Sequence, residues 1–117
     1  MRNFREYDFW VDSMKLSKEI YLITKDFPKF DGIINQIQRA VVSIPSNIAE
    51  GSSRTSSVDF ARFLEIALGS AYETETQLEL SYHLGYINYE QYQHLMNDTH
   101  SIEKRITAFI NTLRKKS

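Results

Sequence analysis

A chain of 117 residues, 42% hydrophobic and 25% charged, is sized for one small domain with a modest core. Its 14 Lys and Arg nearly balance 15 Asp and Glu, so at a formal charge of −1 no global field draws it to nucleic acid, and any such binding must come from local clusters. The absence of cysteine excludes disulfides, thiolate zinc sites and cysteine nucleophiles, and no run approaches the ~20 apolar residues of a membrane span.

The first predicted helix runs from about Phe4 or Tyr7 to Lys25, because Phe9, Leu16, Ile20, Ile23 and Phe27 recur at helical intervals. It ends near Phe27-Pro28, where the residue before proline is pushed out of the α region. The opening MRNFREYDFW has no apolar stretch of the signal-peptide kind, which makes the cytoplasm the expected location, with no membrane partner.

A second helix is expected from Asp31, as N-cap, to Glu50, with Gly51 in the left-handed position that follows a helix. At about 100° per residue, Ile34, Ile37, Val41, Ile44 and Ile48 fall on one arc and Arg39, Ser43, Ser46 and Glu50 on the other. Pro45 interrupts this pattern, removing a donor from the carbonyl of Val41 at a cost of ~3 kcal/mol. A kink is expected there, with the hydroxyls of Ser43 and Ser46 as candidate donors to the freed carbonyl.

Ser56, with Asp59 three residues on, resembles a capping box opening a third helix, which lasts to about Leu84 and stops at Gly85. Asn88 and Gln91 then cap a fourth helix, with Ile87 facing Tyr92 as a staple. In that helix Leu95, Thr99, Ile102, Ile106, Phe109 and Leu113 alternate by four and three, the seam of a bundle. With no strand pattern and short final connections, the fold class is all-α: a single antiparallel, up-and-down four-helix bundle over residues 1–117, its second helix kinked at Pro45.

The third helix has an apolar arc of Phe60, Phe63, Leu64, Ala67, Ala71 and Leu78, yet Ile66, Leu80 and Leu84 cluster on its far side, around Gly69. Aligned apolar residues over several turns point to a partner surface, and Gly69-Ser70-Ala71 puts small residues where another backbone could approach. The stripe Arg39, Ser43, Ser46 and Glu50 is then expected at or beside a subunit junction, or at a functional surface. Charge is segmented too, residues 59–100 carrying one basic and seven acidic groups, residues 101–117 five basic and one acidic.

Three stretches together resemble a known family: RAVVSIPSNIAEGSSR from Arg39 to Arg54, DFARFLEIALGSAYETETQL from Asp59 to Leu78, and the early Trp10, Ile20, Tyr21, Thr24, Phe27, Pro28 pattern. They look like the four-helix bundle proteins encoded within intervening sequences of bacterial 23S ribosomal RNA genes, over nearly the whole chain. The resemblance implies a homopentamer, and kinship with the accessory variability determinant protein of diversity-generating retroelements, a basic pentamer that binds nucleic acid and a reverse transcriptase. It singles out Ser43, Pro45, Ser46, Asn47, Glu50 and Gly51 as family motif. This chain departs from that relative in its near-neutral charge and acidic third helix.

Arg39, Arg54 and Arg62 are the first nucleic-acid candidates, since guanidinium groups match phosphate in geometry as well as charge. Lys104, Arg105, Arg114, Lys115 and Lys116 form a second set. Against these stand ion pairing of Arg39 and Arg62 with Glu50, Glu65 or Glu73, and a basic helix end favoured by its dipole. Tyr72, Tyr82, Tyr86, Tyr89 and Tyr92 are able to stack bases but are also what packs a bundle end.

Enzyme chemistry is poorly supplied. A di-iron bundle needs Glu-x-x-His spacings and inward carboxylates, whereas Glu79–His83 and Glu90–His94 are four apart and no inward-facing carboxylate set is evident; His83, His94 and His100 are expected at the surface or at caps. Ser43 and Ser46 have no histidine near them. The expectation is a non-enzymatic homo-oligomeric scaffold without cofactor or metal, with RNA or DNA and a protein as candidate partners; the alternative is a purely structural protein-protein module.

Overall fold

Most of the long helices begin or end where the chain offers their free backbone groups a partner. The computed structural model describes residues 2–116. Short 3-10 turns at Phe4–Glu6 and Thr24–Asp26 bracket α1, Asp8–Ile23. Helix α2 spans Ile33–Ser52, α3 Ser57–His83 and α4 Tyr89–Lys115. The Ser56 hydroxyl accepts from the Asp59 amide at 3.1 Å. After α3, Gly85 takes φ +78°, and the amides of Gly85 and Tyr86 donate to the carbonyls of Tyr82 and Ser81 at 3.0 and 2.9 Å. That left-handed residue is the glycine-requiring stop. Asn88 and Gln91 then form the reciprocal capping box, both bonds at 2.8 Å.

The contacts between helices fix their directions. Gln36 meets Gln77 and Ser43 meets Ser70, so α2 and α3 run opposite ways. Glu65 meets Arg114 and Glu75 meets His100, so α3 and α4 do too. Glu19 with His94 and Asp12 with Arg105 close α4 against α1, while Thr24 with Gln38 and Ser17 with Val41 set α1 against α2. The result is an up-and-down bundle with principal extents of 46 × 22 × 20 Å.

The expected seams are the core. Leu16 and Ile20 of α1, Ile37, Val41, Ile44 and Ile48 of α2, Phe60, Leu64, Ala67, Ala71 and Leu78 of α3, and Leu95, Ile102, Ile106 and Leu113 of α4 are buried. Each isoleucine or leucine so removed from water contributes ~1.5–3 kcal/mol. Hydroxyls that fall within the seams return to their own helix: Thr74, Ser81 and Thr99 donate to carbonyls four residues back at 2.7–2.8 Å.

Three local expectations are corrected. Asp31 is not the residue at the cap, which is Gly32, but its Oδ1 accepts from the Ile33 amide at 3.1 Å and its Oδ2 from the Tyr86 hydroxyl. Gly51 is not a left-handed terminator: α2 passes through it to Ser52, and a Cβ there would lie 2.6 Å from Cβ of Phe63 and 3.0 Å from the Phe60 ring. Its lack of side chain serves a close approach of α2 to α3. The Val41 carbonyl, expected to be served by Ser43 or Ser46, instead faces the Ser17 hydroxyl of α1 at 3.4 Å, in a helix assigned continuously through Pro45. Ser43 is instead engaged by Asn47, whose Nδ2 donates to its carbonyl and hydroxyl at 2.9 and 3.0 Å, and by Ser70 at 2.8 Å.

Gly51→Ala tests the close approach. Alanine improves helix propensity, yet the clash with Phe63 is expected to lower stability by about 1–3 kcal/mol, read as a lower denaturant midpoint. Tyr86→Phe tests the tie at the start of α2. The Tyr86 hydroxyl, and after it the Ile33 amide, hold the Asp31 carboxyl below its ordinary 3.8, so this bond stabilises above that pH and is lost in acid. The variant is expected to melt below the parent at neutral pH, with the gap closing as Asp31 protonates; a gap that persists in strong acid would refute the assignment.

Candidate nucleic-acid interface

The α2–α3 connection gathers arginines onto aromatic rings. The guanidinium of Arg54 lies 4.6 Å and that of Arg62 5.8 Å from the centre of the Phe63 ring, and that of Arg2 lies 4.8 Å from the centre of Phe60. Arg2 Nη1 also donates to the Arg54 carbonyl at 2.5 Å. The geometry follows from Gly51: with α2 pressed close, Phe60 turns into the core while Phe63 is left half-buried at the rim as a platform for cations. Arg2, Ser52, Ser53, Arg54 and Thr55 line a concavity of about 650 Å³ at this end. Beneath it, Tyr7, Phe9, Phe60 and Phe109 pack as a cluster with ring centres 5.1–6.0 Å apart.

Of the first candidate set, the fold therefore brings Arg54 and Arg62 together and leaves Arg39 apart. Arg39 is exposed about 22 Å along α2 from Arg54, and among the described residues it has no ion pair. Arg54 pairs with Glu50 at 3.1 Å and Arg62 with Asp59 at 3.5 Å, both on the surface. Of the second set, Arg114, Lys115 and Lys116 lie at the same end of the bundle, while Lys104 and Arg105 sit near the middle of α4. Arg114 meets Glu65 at 2.8 Å and Arg105 reaches Asp12 at 2.8 Å and Asp8 at 3.3 Å, while Lys104, Lys115 and Lys116 are exposed. The half of the bundle built from residues 2–14, 44–70 and 104–116 holds nine of the 14 Lys and Arg but six of the 15 Asp and Glu, leaving the opposite half net acidic.

The two unusual faces flank one groove. Arg39, Ser43, Glu73, Gln77, Ser70 and Gln36 line about 390 Å³ between α2 and α3. Ile66, Leu80 and Leu84, 47–50% exposed, lie along the adjoining stripe of α3. Gly69 is exposed with open space where a Cβ would go, but Ser70 and Ala71 are already buried within the chain, so only Gly69 of that trio offers room to a neighbour. Ser46 and Glu50 are exposed and Pro45 is buried. The tyrosines pack among themselves: Tyr82 stacks on Tyr92 at 4.7 Å, Tyr89 lies 6.0 Å from Tyr82, and Tyr86 meets Phe27 at 5.1 Å.

One carboxylate nonetheless faces inward: Glu103, which lies in the α4 seam between Ile102 and Ile106 and is buried, although no inward-facing set of carboxylates was expected. Burial, followed by the hydrogen bond and charge of Glu75, pushes its carboxyl up to about 8. Glu75 Oε1 in turn lies 2.8 Å from His100 Nε2. His94 sits 2.9 Å from Glu19 and 3.4 Å from Asp98, at the surface as expected. The sequence signal was available: Glu103 is four residues after the seam position Thr99, and His100 shares its face three residues away.

Residues 5–108 match the family described as 23S rRNA-intervening sequence protein. Among solved structures, the chain is similar to a protein of unknown function from the S23 ribosomal protein family of Bacteroides thetaiotaomicron VPI-5482, at 34% identity and a TM-score of 0.81, covering 87% of this chain and 97% of that one. No curated protein matches.

Because the arginine pairs are exposed, Arg54→Ala and Arg62→Ala are each expected to change stability by no more than about 1 kcal/mol, measured by chemical unfolding. A larger loss would mean that the Phe63 platform depends on its cations.

Proposed function

The chain belongs to the 23S rRNA-intervening sequence protein family, and from that premise we propose that it is a non-enzymatic homo-oligomeric scaffold whose arginine-bearing end binds RNA or DNA in company with a protein partner. The observation that carries this reading is the pairing of Arg54 and Arg62 on the Phe63 ring, with Arg2 beside them on Phe60. Guanidinium groups held over rings offer N–H groups that phosphate oxygens can take two at a time, and the rings limit the entropy lost on binding.

A single copy at net charge −1 is a weak ligand for a polyanion. Assembly changes this, because every copy in a closed ring points its arginine end the same way and weak sites become multivalent. The stripe of Ile66, Leu80 and Leu84 beside the open Gly69 supports self-association, and the family resemblance supports five copies. A second reading has its own support: the ion pairs Arg54–Glu50, Arg62–Asp59 and Arg114–Glu65 suit a purely structural assembly in which these cations are already occupied.

Charge reversal at Arg54 and Arg62, followed by filter binding to RNA and DNA across a salt series, separates the two. The scaffold reading expects parental binding that weakens steeply with salt, and a variant slope shallower by about two for each engaged protomer. Absence of binding by the parent, or identical curves for both, favours the structural module. Native mass measurement tests the assembly itself. The parent is expected as a pentamer, and serine at Ile66, Leu80 and Leu84 together is expected to release single folded chains; a monomeric parent overturns the proposal.

A further inference from the structure

Half-way along the α3–α4 pair, away from the arginine end, lies a cluster that the scaffold does not use. Glu75 of α3 and His100 and Glu103 of α4 bring three ligand-bearing atoms within 4.8 Å of one another. Glu103 is only 8% exposed, and its Oε2 is wholly buried without a hydrogen-bond partner. An orphaned carboxyl oxygen in a helical core is costly, and a leucine or methionine at that seam position would have packed without the cost.

We propose that Glu75, His100 and Glu103 form a binding site for a divalent transition-metal ion, with Zn²⁺ as the fitting probe, that clamps α3 to α4. One imidazole and two carboxylates are borderline-to-hard donors that suit Zn²⁺ or Mn²⁺, and the absence of thiolate argues against softer ions. Two ionised carboxylates neutralise the ion's double charge, which removes the reason for either to hold a proton in the core. His100 and Glu103 are three residues apart on one face of α4, so a single helix presents two ligands and the facing helix the third. The side chain of His100 is 48% exposed, which gives an entry path and leaves a coordination position for water. Ligation would give Oε2 a partner and replace the hydrogen bond between the Glu103 and Glu75 carboxyls by a shared ion. Glu19, His94 and Asp98 offer the same residue types at a similar spread, but none is buried and no orphaned atom is aimed among them. That cluster is the internal control.

The test uses the full chain stripped of metal by chelator. Titration calorimetry with Zn²⁺, and visible absorption with Co²⁺ as a spectroscopic substitute, are expected to give one ion per chain, with a shift of the His100 ring nitrogens in NMR and a metal-dependent rise in melting temperature. Glu103→Gln keeps the side-chain volume, and His100→Ala alters an accessible position, so at least one variant remains folded; each is expected to weaken Zn²⁺ binding by about tenfold or more. His94→Ala is expected to leave stoichiometry and affinity unchanged. No binding at submillimolar Zn²⁺ would mean that Glu103 and Glu75 simply share a proton, and would overturn the proposal. Undiminished binding by Glu103→Gln, or loss on His94→Ala, would overturn it equally.

Discussion

The packing of α2 against α3 at Gly51 is the constraint on which the molecule's organised end rests. With a hydrogen in place of a side chain, α2 comes so near that the Cβ of Phe63 occupies the space a methyl group would need. Phe60 then has room to enter the core beside Phe109 and Tyr7, and Phe63 is displaced to the rim. Both outcomes matter. The buried ring closes the bundle's end, and the displaced ring carries the arginines. One missing side chain thus links helix packing to surface chemistry.

Much of the architecture is written in periodicity. The α4 seam needs no context beyond its alternation by four and three, and the Ser56, Gly85 and Asn88 boundaries follow from local backbone chemistry alone. Gly51 misled because a glycine near a helix end has two uses, and only the neighbouring helix decides between them. Val41 misled for a related reason: sequence offers nearby hydroxyls first, whereas the fold supplies Ser17 from α1. Arg54 and Arg62 were legible as a pair because they flank one loop. Their platform was not, since Phe63 reads as core on a helical wheel. Glu103 was missed because a carboxylate in a seam is ordinarily solvated at its edge, and its partner Glu75 comes from another helix.

The core is also more hydroxylated than an apolar bundle requires. Ser13, Ser17, Ser70, Thr74, Ser81 and Thr99 are buried, and each finds a carbonyl within its own helix. Self-satisfied hydroxyls are small and carry little demand on their neighbours, so they let helices draw close without fixing a partner. Two of them also reach across: Ser17 to the Val41 carbonyl of α2 at 3.4 Å, and Ser70 to the Ser43 hydroxyl at 2.8 Å, tying the floor of the α2–α3 groove. The shorter of these two ties lies on the helix pair that also carries the two unusual faces.

The unequal sharing of charge along a 46 Å rod makes each copy an electric dipole. If copies assemble as proposed with their long axes along the ring axis, these dipoles would lie parallel, cation beside cation at one rim and anion beside anion at the other, which is the unfavourable alignment for neighbouring dipoles. Dissolved ions relieve that repulsion. In the proposed ring, added electrolyte would accordingly tighten the assembly while loosening any hold on a polyanion.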